Sequence, residues 1–142
     1  MDLSLKKIAK IVEGDLRGNP AVKIDNIIID SRKYYSPQDT LFIALRGKNN
    51  DGHDYIEDLL AAGISSFIVE SIPTDTILQP ASFIVVKNTL QALQGLGAWF
   101  RKEFKSPVVG ITGSNGKTIV KEWIYQALDS NLETVRSPQS YN

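Results

Sequence analysis

The 142-residue sequence contains no cysteine and a single histidine, His53. The lack of cysteine excludes disulfides and thiolate metal sites and favours a reducing compartment, so we expect a cytoplasmic protein. A lone histidine, without a second histidine or a pair of carboxylates nearby, is a poor candidate for a metal ligand or a general base. We therefore expect His53 to have a structural role or to make a supporting polar contact.

The sequence also lacks an excess of charge of either sign and has no long hydrophobic run. Sixteen basic residues balance sixteen acidic ones, which gives no electrostatic basis for a nucleic-acid partner. No apolar stretch approaches the length of a membrane span, and the N-terminus continues into an amphipathic pattern rather than a signal peptide. We expect no membrane insertion. Because the whole chain has no net charge, an anion-binding site would have to come from a few residues that lie close together.

The first hundred residues mix short helical and strand patterns. Ser4 is placed to cap a short helix that Gly14 ends, and a second helix is predicted over residues 55–62 with Gly63 as its terminator. Short β-branched or aromatic runs bounded by turn residues predict strands at residues 24–29, 41–45, 67–69 and 83–86. The pattern favours a small mixed sheet covered by helices.

A longer helix is predicted to begin near Asn88 or Thr89 and to end before Ser106-Pro107. Its apolar stripe contains Leu90, Leu93, Leu96, Phe100 and Phe104, and Trp99 lies near it. We expect Trp99 to pack in the core, and we place a domain boundary at Ser106-Pro107. The two predicted domains are therefore residues 1–106 and 107–142.

The second segment has the order of a βαβ unit: a strand at residues 108–112, a glycine-rich loop, a helix at 117–128 and a strand at 133–135. Trp123 lies on this helix and is expected to be buried. Two parallel strands alone would leave their edges unpaired, so we expect only part of a domain here. The predicted fold class is α/β: a small mixed-sheet domain followed by the first βαβ segment of a second domain.

The glycine-rich loop carries the most informative motif, GITGSNGKT at residues 110–118. A strand-loop-helix context with Gly-Lys-Thr at the helix start predicts a phosphate-binding loop, because glycines let backbone N–H groups approach phosphate oxygens. The strict pattern requires glycine where Ile111 stands, so the match is to a variant. The alternative is a glycine-rich turn with an exposed lysine. The predicted ATP-binding residues are Gly113, Ser114, Asn115, Gly116, Lys117 and Thr118.

Two of these residues have specific expected roles in handling phosphate. Lys117 is expected to reach the β- and γ-phosphates and to act catalytically, while the Thr118 hydroxyl is expected to ligate Mg²⁺. ATP and Mg²⁺ are the predicted cofactors.

A second group of polar residues lies in the first domain. It comprises Asp30-Ser31-Arg32, the run from Asp39 to Gly47, and Asp51-Gly52-His53. Taken singly, Asp-Ser at a strand end and Asp-Gly are ordinary turn formers, and Arg32 is equally compatible with a solvated surface charge.

Taken together and in this order, these segments resemble the Mur ligases, which attach amino acids or a dipeptide to a UDP-linked muramoyl precursor of peptidoglycan. The first-domain pattern, with Ala62-Gly63, is similar to that of the members that add the third residue and the terminal dipeptide. The P-loop with Ser114 is more similar to that of the D-alanyl-D-alanine-adding members, since the diamino-acid-adding ones usually have threonine there. A second threonine common in the family is replaced by Ile119.

The resemblance implies an ATP-dependent amide ligase. Such an enzyme phosphorylates the carboxylate that ends UDP-N-acetylmuramoyl-tripeptide, and the amine of D-alanyl-D-alanine attacks the acyl phosphate. It also implies that the first domain holds the uridine end of the substrate, with Ser31, Arg32, Arg46 and Gly47 as the corresponding positions. Residues 117–123 and 136–142 resemble the form fused to an alanine racemase.

This chain alone is expected to be inactive, because the remaining ATP-binding residues would lie beyond Asn142. Three alternatives stay open: the diamino-acid-adding Mur ligase, an unrelated P-loop kinase or NTPase, and a non-catalytic UDP-sugar-binding module.

Overall fold

The computed structural model describes residues 3–32, 36–73 and 80–137. The chain divides into two compact units, Met1–Lys105 and Ser106–Asn142, which we call the front unit and the loop unit.

The front unit is built on a five-stranded mixed sheet, which confirms the predicted fold class. Its strands are β1 (Asp15–Arg17), β2 (Asn26–Ile28), β3 (Thr40–Ile43), β4 (Ser66–Val69) and β5 (Ser82–Val85). They lie in the order β1-β5-β4-β3-β2. Strands β2 to β5 are parallel and only β1 is antiparallel, pairing with β5. The sequence analysis missed β1, because a three-residue strand with one half-buried apolar side chain, Leu16, leaves no pattern.

The helices of the front unit cover both faces of the sheet. They are α1 (Leu5–Ile11), α2 (Ile56–Ala61) and α3 (Thr89–Glu103), with short 3₁₀ helices at Pro37–Asp39 and Gly52–Tyr55. Alternation along the strands gives each face its own core. Leu41 and Ile43 pack in the cluster that contains residues of α1 and α3, whereas Phe42 packs in the cluster with α2.

Helix α1 begins as predicted, but the residue that ends it is different. The Ser4 hydroxyl accepts the backbone N–H of Lys7 at 3.4 Å. The residue with positive φ after the helix is Glu13 (φ 53°), not Gly14. A Cβ on Gly14 would lie 2.4 Å from Cγ2 of Ile84, so this glycine is required by the close approach of the chain to β5.

Helix α3 also begins where expected, with the Asn88 side chain accepting the backbone N–H of Gln91 at 2.9 Å. Its buried face is set by Thr89, Ala92 and Leu96 rather than by the largest side chains. Leu90 lies about 100° round the helix from Thr89. Leu90 is therefore 52% exposed, and Phe104, at the C-cap position, is 53% exposed, so these two residues of the predicted apolar stripe do not pack in the core. The stripe residues Leu93, Leu96 and Phe100 do pack there.

Trp99 is half-buried against the core cluster of α1 and α3, as expected. The ammonium of Lys7 lies 4.7 Å from the centre of its ring.

The loop unit contains the predicted helix, α4 (Lys117–Asp129), but not the strands expected on either side of it. Among the described residues, 108–112 and 133–135 are not in strands, and Val108 and Val109 are largely exposed. A strand forms only with a hydrogen-bonded neighbour, and the described part of this unit supplies none. Trp123 is 67% exposed, so the prediction that it is buried is wrong.

Candidate functional site

The polar residues singled out in the front unit gather at one edge of the sheet. Because β2 to β5 are parallel, their carboxyl ends lie at a common edge, where open α/β sheets bind ligands. The segments that follow these four strands are Asp30-Ser31-Arg32, Arg46-Gly47, Glu70 and Asn88-Thr89.

After β2, Arg32 is held by its near neighbour Asp30. The Asp30 carboxylate accepts the backbone N–H of Arg32 and, in a two-pronged contact, its Nε and Nη2 at 2.9 and 3.0 Å. The hydrogen bonds that Arg32 donates to Asp30, together with the negative charge of Asp30, raise the pKa of Arg32 above its ordinary value. The Arg32 side chain is 84% exposed, and Ser31 is half-buried beside it. A hydroxyl and a fixed cation thus lie next to each other.

After β3, the chain forms a tight loop closed by backbone hydrogen bonds. Gly47 donates its N–H to the carbonyl of Asn50 and Gly52 donates to the carbonyl of Leu45, both at 2.8 Å. A Cβ on Gly52 would lie 2.7 Å from the backbone nitrogen of Leu45, so only glycine fits there. The side chain of Arg46 crosses this loop, and its Nε donates to Oδ2 of Asp51 at 2.8 Å.

His53 closes the same loop through both ring nitrogens. Its Nε2 accepts the backbone N–H of Glu70 at 2.9 Å, so this nitrogen carries a lone pair. Its Nδ1 therefore carries the proton, which faces Oδ1 of Asp51 at 2.6 Å. With its side chain only 10% exposed, His53 has the structural role expected from the sequence.

The carboxylate of Asp51 is kept ionised by this network. Burial acts to raise its pKa, but hydrogen bonds from the backbone and ring of His53, and then from Arg46, outweigh burial. The pKa of Asp51 is consequently lowered from its ordinary value.

Glu70 is a residue of this edge that the sequence analysis did not single out. Its Oε1 accepts the backbone N–H of Thr89 at 3.1 Å, and its Oε2 lies 3.4 Å from Nη1 of Arg46. A glutamate directly after a buried apolar strand, Ser66–Val69, was the available signal. The start of α3, the loop after β3 and the end of β4 therefore meet at one carboxylate.

The loop unit carries the phosphate-loop motif, in a conformation that needs its glycines. Gly113 has φ 150° and Gly116 has φ 76°, both in the positive range that favours glycine. Gly116 occupies the N-cap position of α4, and no side chain caps this helix end. Residues Ser114 to Ile119 line a shallow cavity of about 250 Å³.

The lysine of this loop is folded back onto it. Nζ of Lys117 donates to the carbonyl oxygen of Gly113 at 2.7 Å. A phosphate that entered the cavity would compete with this carbonyl for the ammonium group. The Lys117 side chain thus lies across the loop.

The residues present fit a nucleotide phosphate. A Cβ on Gly116 would meet nothing within 4 Å, so the space above the backbone is open. The helix start supplies backbone N–H groups and a partial positive charge, both suited to an anion.

No group of three His, Asp or Glu residues that could hold a metal occurs within 3–32, 36–73 and 80–137. A Mg²⁺ ion here would depend on the phosphates and on the Thr118 hydroxyl.

Membrane insertion has no candidate in the part of the chain that the structure describes. None of its helices is both long enough and apolar enough to span a bilayer.

Comparison with known protein families gives a match over residues 23–101 to the family described as "Mur ligase family, catalytic domain". The match covers more than half of the chain and falls within the front unit.

Individual relatives extend the similarity across the loop unit. The UDP-N-acetylmuramoyl-tripeptide–D-alanyl-D-alanine ligase of Buchnera aphidicola (subsp. Acyrthosiphon pisum) is 37% identical over 142 residues, which is all of this chain and 30% of that protein. The solved structure of UDP-N-acetylmuramoylalanyl-D-glutamyl-2,6-diaminopimelate–D-alanyl-D-alanyl ligase from Acinetobacter baumannii aligns with a TM-score of 0.79 at 30% identity, covering 92% of this chain and 29% of that one.

A third similar protein carries a nucleotide. The solved MurF ligase of Thermotoga maritima in complex with ADP aligns with a TM-score of 0.66 at 28% identity and covers 82% of this chain and 26% of that one. The chain thus spans about three tenths of the length of the relatives that it matches.

Proposed function

This chain belongs to the Mur ligase family, and on that premise we propose that it forms the N-terminal part of an ATP-dependent ligase that joins D-alanyl-D-alanine to UDP-N-acetylmuramoyl-tripeptide. Family membership removes the alternative of an unrelated P-loop kinase or NTPase. The D-alanyl-D-alanine-adding activity is favoured over the diamino-acid-adding one because the ligases of Buchnera aphidicola and Acinetobacter baumannii add D-alanyl-D-alanine.

We assign the uridine end of the substrate to the carboxyl edge of the front unit's sheet. Residues 1–106 are the proposed UDP-muramoyl-peptide-binding domain, with Ser31, Arg32, Arg46 and Gly47 as its substrate contacts. The support is positional: these residues follow β2 and β3, which are adjacent and parallel. The half-buried Ser31 hydroxyl suits the polar edge of a base, and the exposed Arg32 guanidinium suits an anionic oxygen.

Residues 107–142 are proposed as the start of the ATP-binding domain. Gly113, Ser114, Asn115 and Gly116 hold phosphate through their backbone N–H groups, and Lys117 turns from the Gly113 carbonyl to the phosphate oxygens. The Thr118 hydroxyl is the proposed Mg²⁺ ligand. ATP bound with Mg²⁺ would transfer its γ-phosphoryl group to the tripeptide carboxylate and leave as ADP. Attack of the D-alanyl-D-alanine amine on the resulting acyl phosphate would form the amide and release inorganic phosphate.

Lys117 contributes to this chemistry as a fixed positive charge. An ammonium group already oriented by the loop stabilises negative charge on the transferring phosphoryl oxygens without reorganising during the reaction.

We propose that the protein works in the cytoplasm, which fits its cysteine-free sequence. The proposed relation to a racemase-fused form rests partly on residues 138–142, which lie outside the described residues.

The observation that carries this proposal is that all of this chain, including the phosphate loop with its positive-φ glycines, is similar to the corresponding part of a D-alanyl-D-alanine-adding ligase. The test is calorimetric titration of the chain with UDP-N-acetylmuramoyl-tripeptide, with UDP and with Mg-ATP. We expect Ser31→Ala to weaken both UDP ligands about tenfold, the loss of one hydrogen bond to a ligand. Lys117→Ala should leave these affinities unchanged.

Matched controls are Ser130→Ala and Lys102→Ala, two exposed positions outside the proposed sites. Tight Mg-ATP binding without any response to UDP ligands would contradict the proposal.

A further inference from the structure

Glu70 joins three separate pieces of the front unit through different atoms. Its backbone N–H donates to Nε2 of His53, which fixes the end of β4 to the loop after β3. Its Oε1 accepts the N–H of Thr89, the first residue of α3, and lies 3.4 Å from the Thr89 hydroxyl. Its Oε2 faces Arg46. The carboxylate side chain is only 18% exposed, so this arrangement is shielded from solvent.

The position taken by Glu70 is one that an anionic ligand would otherwise occupy. The start of a helix at the carboxyl edge of a parallel sheet attracts negative charge. At α3 that N-terminus is already satisfied by the Glu70 carboxylate and by the Asn88 side chain. A phosphate group of the substrate therefore does not find its site there.

The charge of Arg46 is cancelled in the same cluster. Its Nε and Nη1 face the carboxylates of Asp51 and Glu70. One positive charge is thus opposed by two negative charges. The Arg46 side chain nevertheless stays 53% exposed, so its guanidinium group remains accessible as a hydrogen-bond donor. Because the neighbouring carboxylates balance its charge, this group has no net attraction for anions.

We propose that Glu70 is a positioning residue that acts through Arg46: it holds the loop of residues 44–53 against the start of α3 and cancels the Arg46 charge, so that this loop meets an uncharged part of the uridine nucleotide rather than its phosphates. The inference rests on the proposed function, because it takes the ligand of this edge to be a uridine nucleotide.

A double-mutant cycle tests whether Glu70 acts through Arg46. Affinities of the whole chain for UDP and for uridine are measured by NMR titration, which detects weak binding, in Glu70→Gln, Arg46→Gln and the double variant. We expect Glu70→Gln to weaken both ligands by the same factor, about tenfold, because glutamine keeps an acceptor for Thr89 but presents an amide to Arg46. In the Arg46→Gln background the same change should have no further effect.

Three affinity results would overturn the proposal. If Glu70→Gln leaves both affinities unchanged, or if its effect adds fully to that of Arg46→Gln, Glu70 does not act through Arg46. If it tightens UDP while uridine is unaffected, Arg46 is a phosphate ligand that Glu70 restrains. Glu57→Gln, the same substitution at an exposed position of α2, is the matched control and should change nothing.

Hydrogen exchange separates failure of this inference from failure of the proposed function. In the ligand-free chain, Glu70→Gln should speed exchange of the Gly47 and Gly52 amides about tenfold, while Thr89 keeps its protection. If the wild-type chain binds no uridine ligand, the proposed function fails and the recognition part of this inference fails with it. Unchanged exchange at Gly47 and Gly52 would overturn the positioning role itself.

Discussion

At the scale of single residues, Gly14 shows how a contact between distant parts of the chain dictates a residue type. Alanine there would place its Cβ 2.4 Å from Cγ2 of Ile84 and 3.0 Å from Cγ1 of Val86, both in or beside β5. We expect Gly14→Ala to lower the free energy of unfolding by about 1–3 kcal/mol, the usual cost of overpacking. Urea denaturation followed by Trp99 fluorescence, with Trp123→Phe as the background, measures it.

Gly97 provides the control for that substitution. It lies inside α3, and a Cβ added there meets nothing within 4 Å. Gly97→Ala should therefore leave stability unchanged or raise it by about 0.5–1 kcal/mol, because alanine is the better helix former. Equal losses at both positions would contradict the packing argument.

The ionised carboxylate of Asp51 predicts how the stability of the fold depends on pH. Its pKa is lowered in the folded chain, so its ionised form stabilises the fold above the pKa of the unfolded chain, about 4. That stabilisation is lost as the pH falls through the lowered pKa. We expect Asp51→Asn to be less stable than wild type at pH 6, and the difference to shrink steadily below pH 4. Urea midpoints measured at pH values from 3 to 6 check this, and a difference independent of pH would contradict it.

At the scale of elements, the starts of α1 and α3 were the best-predicted features. Ser4 and Asn88 cap α1 and α3 as their sequence positions indicate, because capping is a local interaction across three residues. The buried side of α3 was predicted only in part: Leu96 is buried and Leu93 and Phe100 are half-buried against the core, whereas Leu90 is exposed. Thr89 and Ala92 face the core because small side chains let the helix approach, and that depends on the neighbouring elements.

The cap of α3 is open to a direct test. Asn88→Ala removes the acceptor for the Gln91 N–H, and we expect a loss of about 1 kcal/mol in the free energy of unfolding of the front unit. Gln94→Ala, at an exposed position within the same helix, should have little effect. The same Trp99-monitored denaturation compares the two, and equal effects would show that the cap contributes nothing.

At the scale of the whole molecule, the two units differ in how much of their apolar surface is buried. The front unit encloses two core clusters. In the loop unit, Ile119, Trp123 and Val135 are 55%, 67% and 93% exposed. The chain also spans only about three tenths of the relatives it matches. A substrate site on the front unit would therefore rest on a packed hydrophobic core, whereas the phosphate loop belongs to a unit that exposes much of its apolar surface.

This difference predicts partial function. We expect the chain to bind UDP-N-acetylmuramoyl-tripeptide but to form no product when Mg-ATP and D-alanyl-D-alanine are added, since catalysis needs the phosphate loop held within tight limits against its substrate. Chromatography of the reaction mixture for the pentapeptide product measures turnover, and calorimetry on the same sample measures binding. Any enzyme-dependent product would refute the prediction.

The sequence by itself determined the features that depend on neighbours in the chain. The helix caps, the left-handed Gly63 after α2, the glycines of the phosphate loop and the family resemblance are all encoded within short segments. Periodicity likewise located β2 to β5, since alternation and β-branched runs are local patterns.

Only the tertiary structure decided what depends on distant partners. Strand β1 exists because β5 offers it a hydrogen-bonding edge, whereas the apolar run at 108–112 forms no strand because the described part of the loop unit offers no such edge. Glu70 has a role only because parallel pairing brings the ends of β3 and β4 and the start of α3 to one place. Such partners lie far apart in sequence, and no local pattern records them.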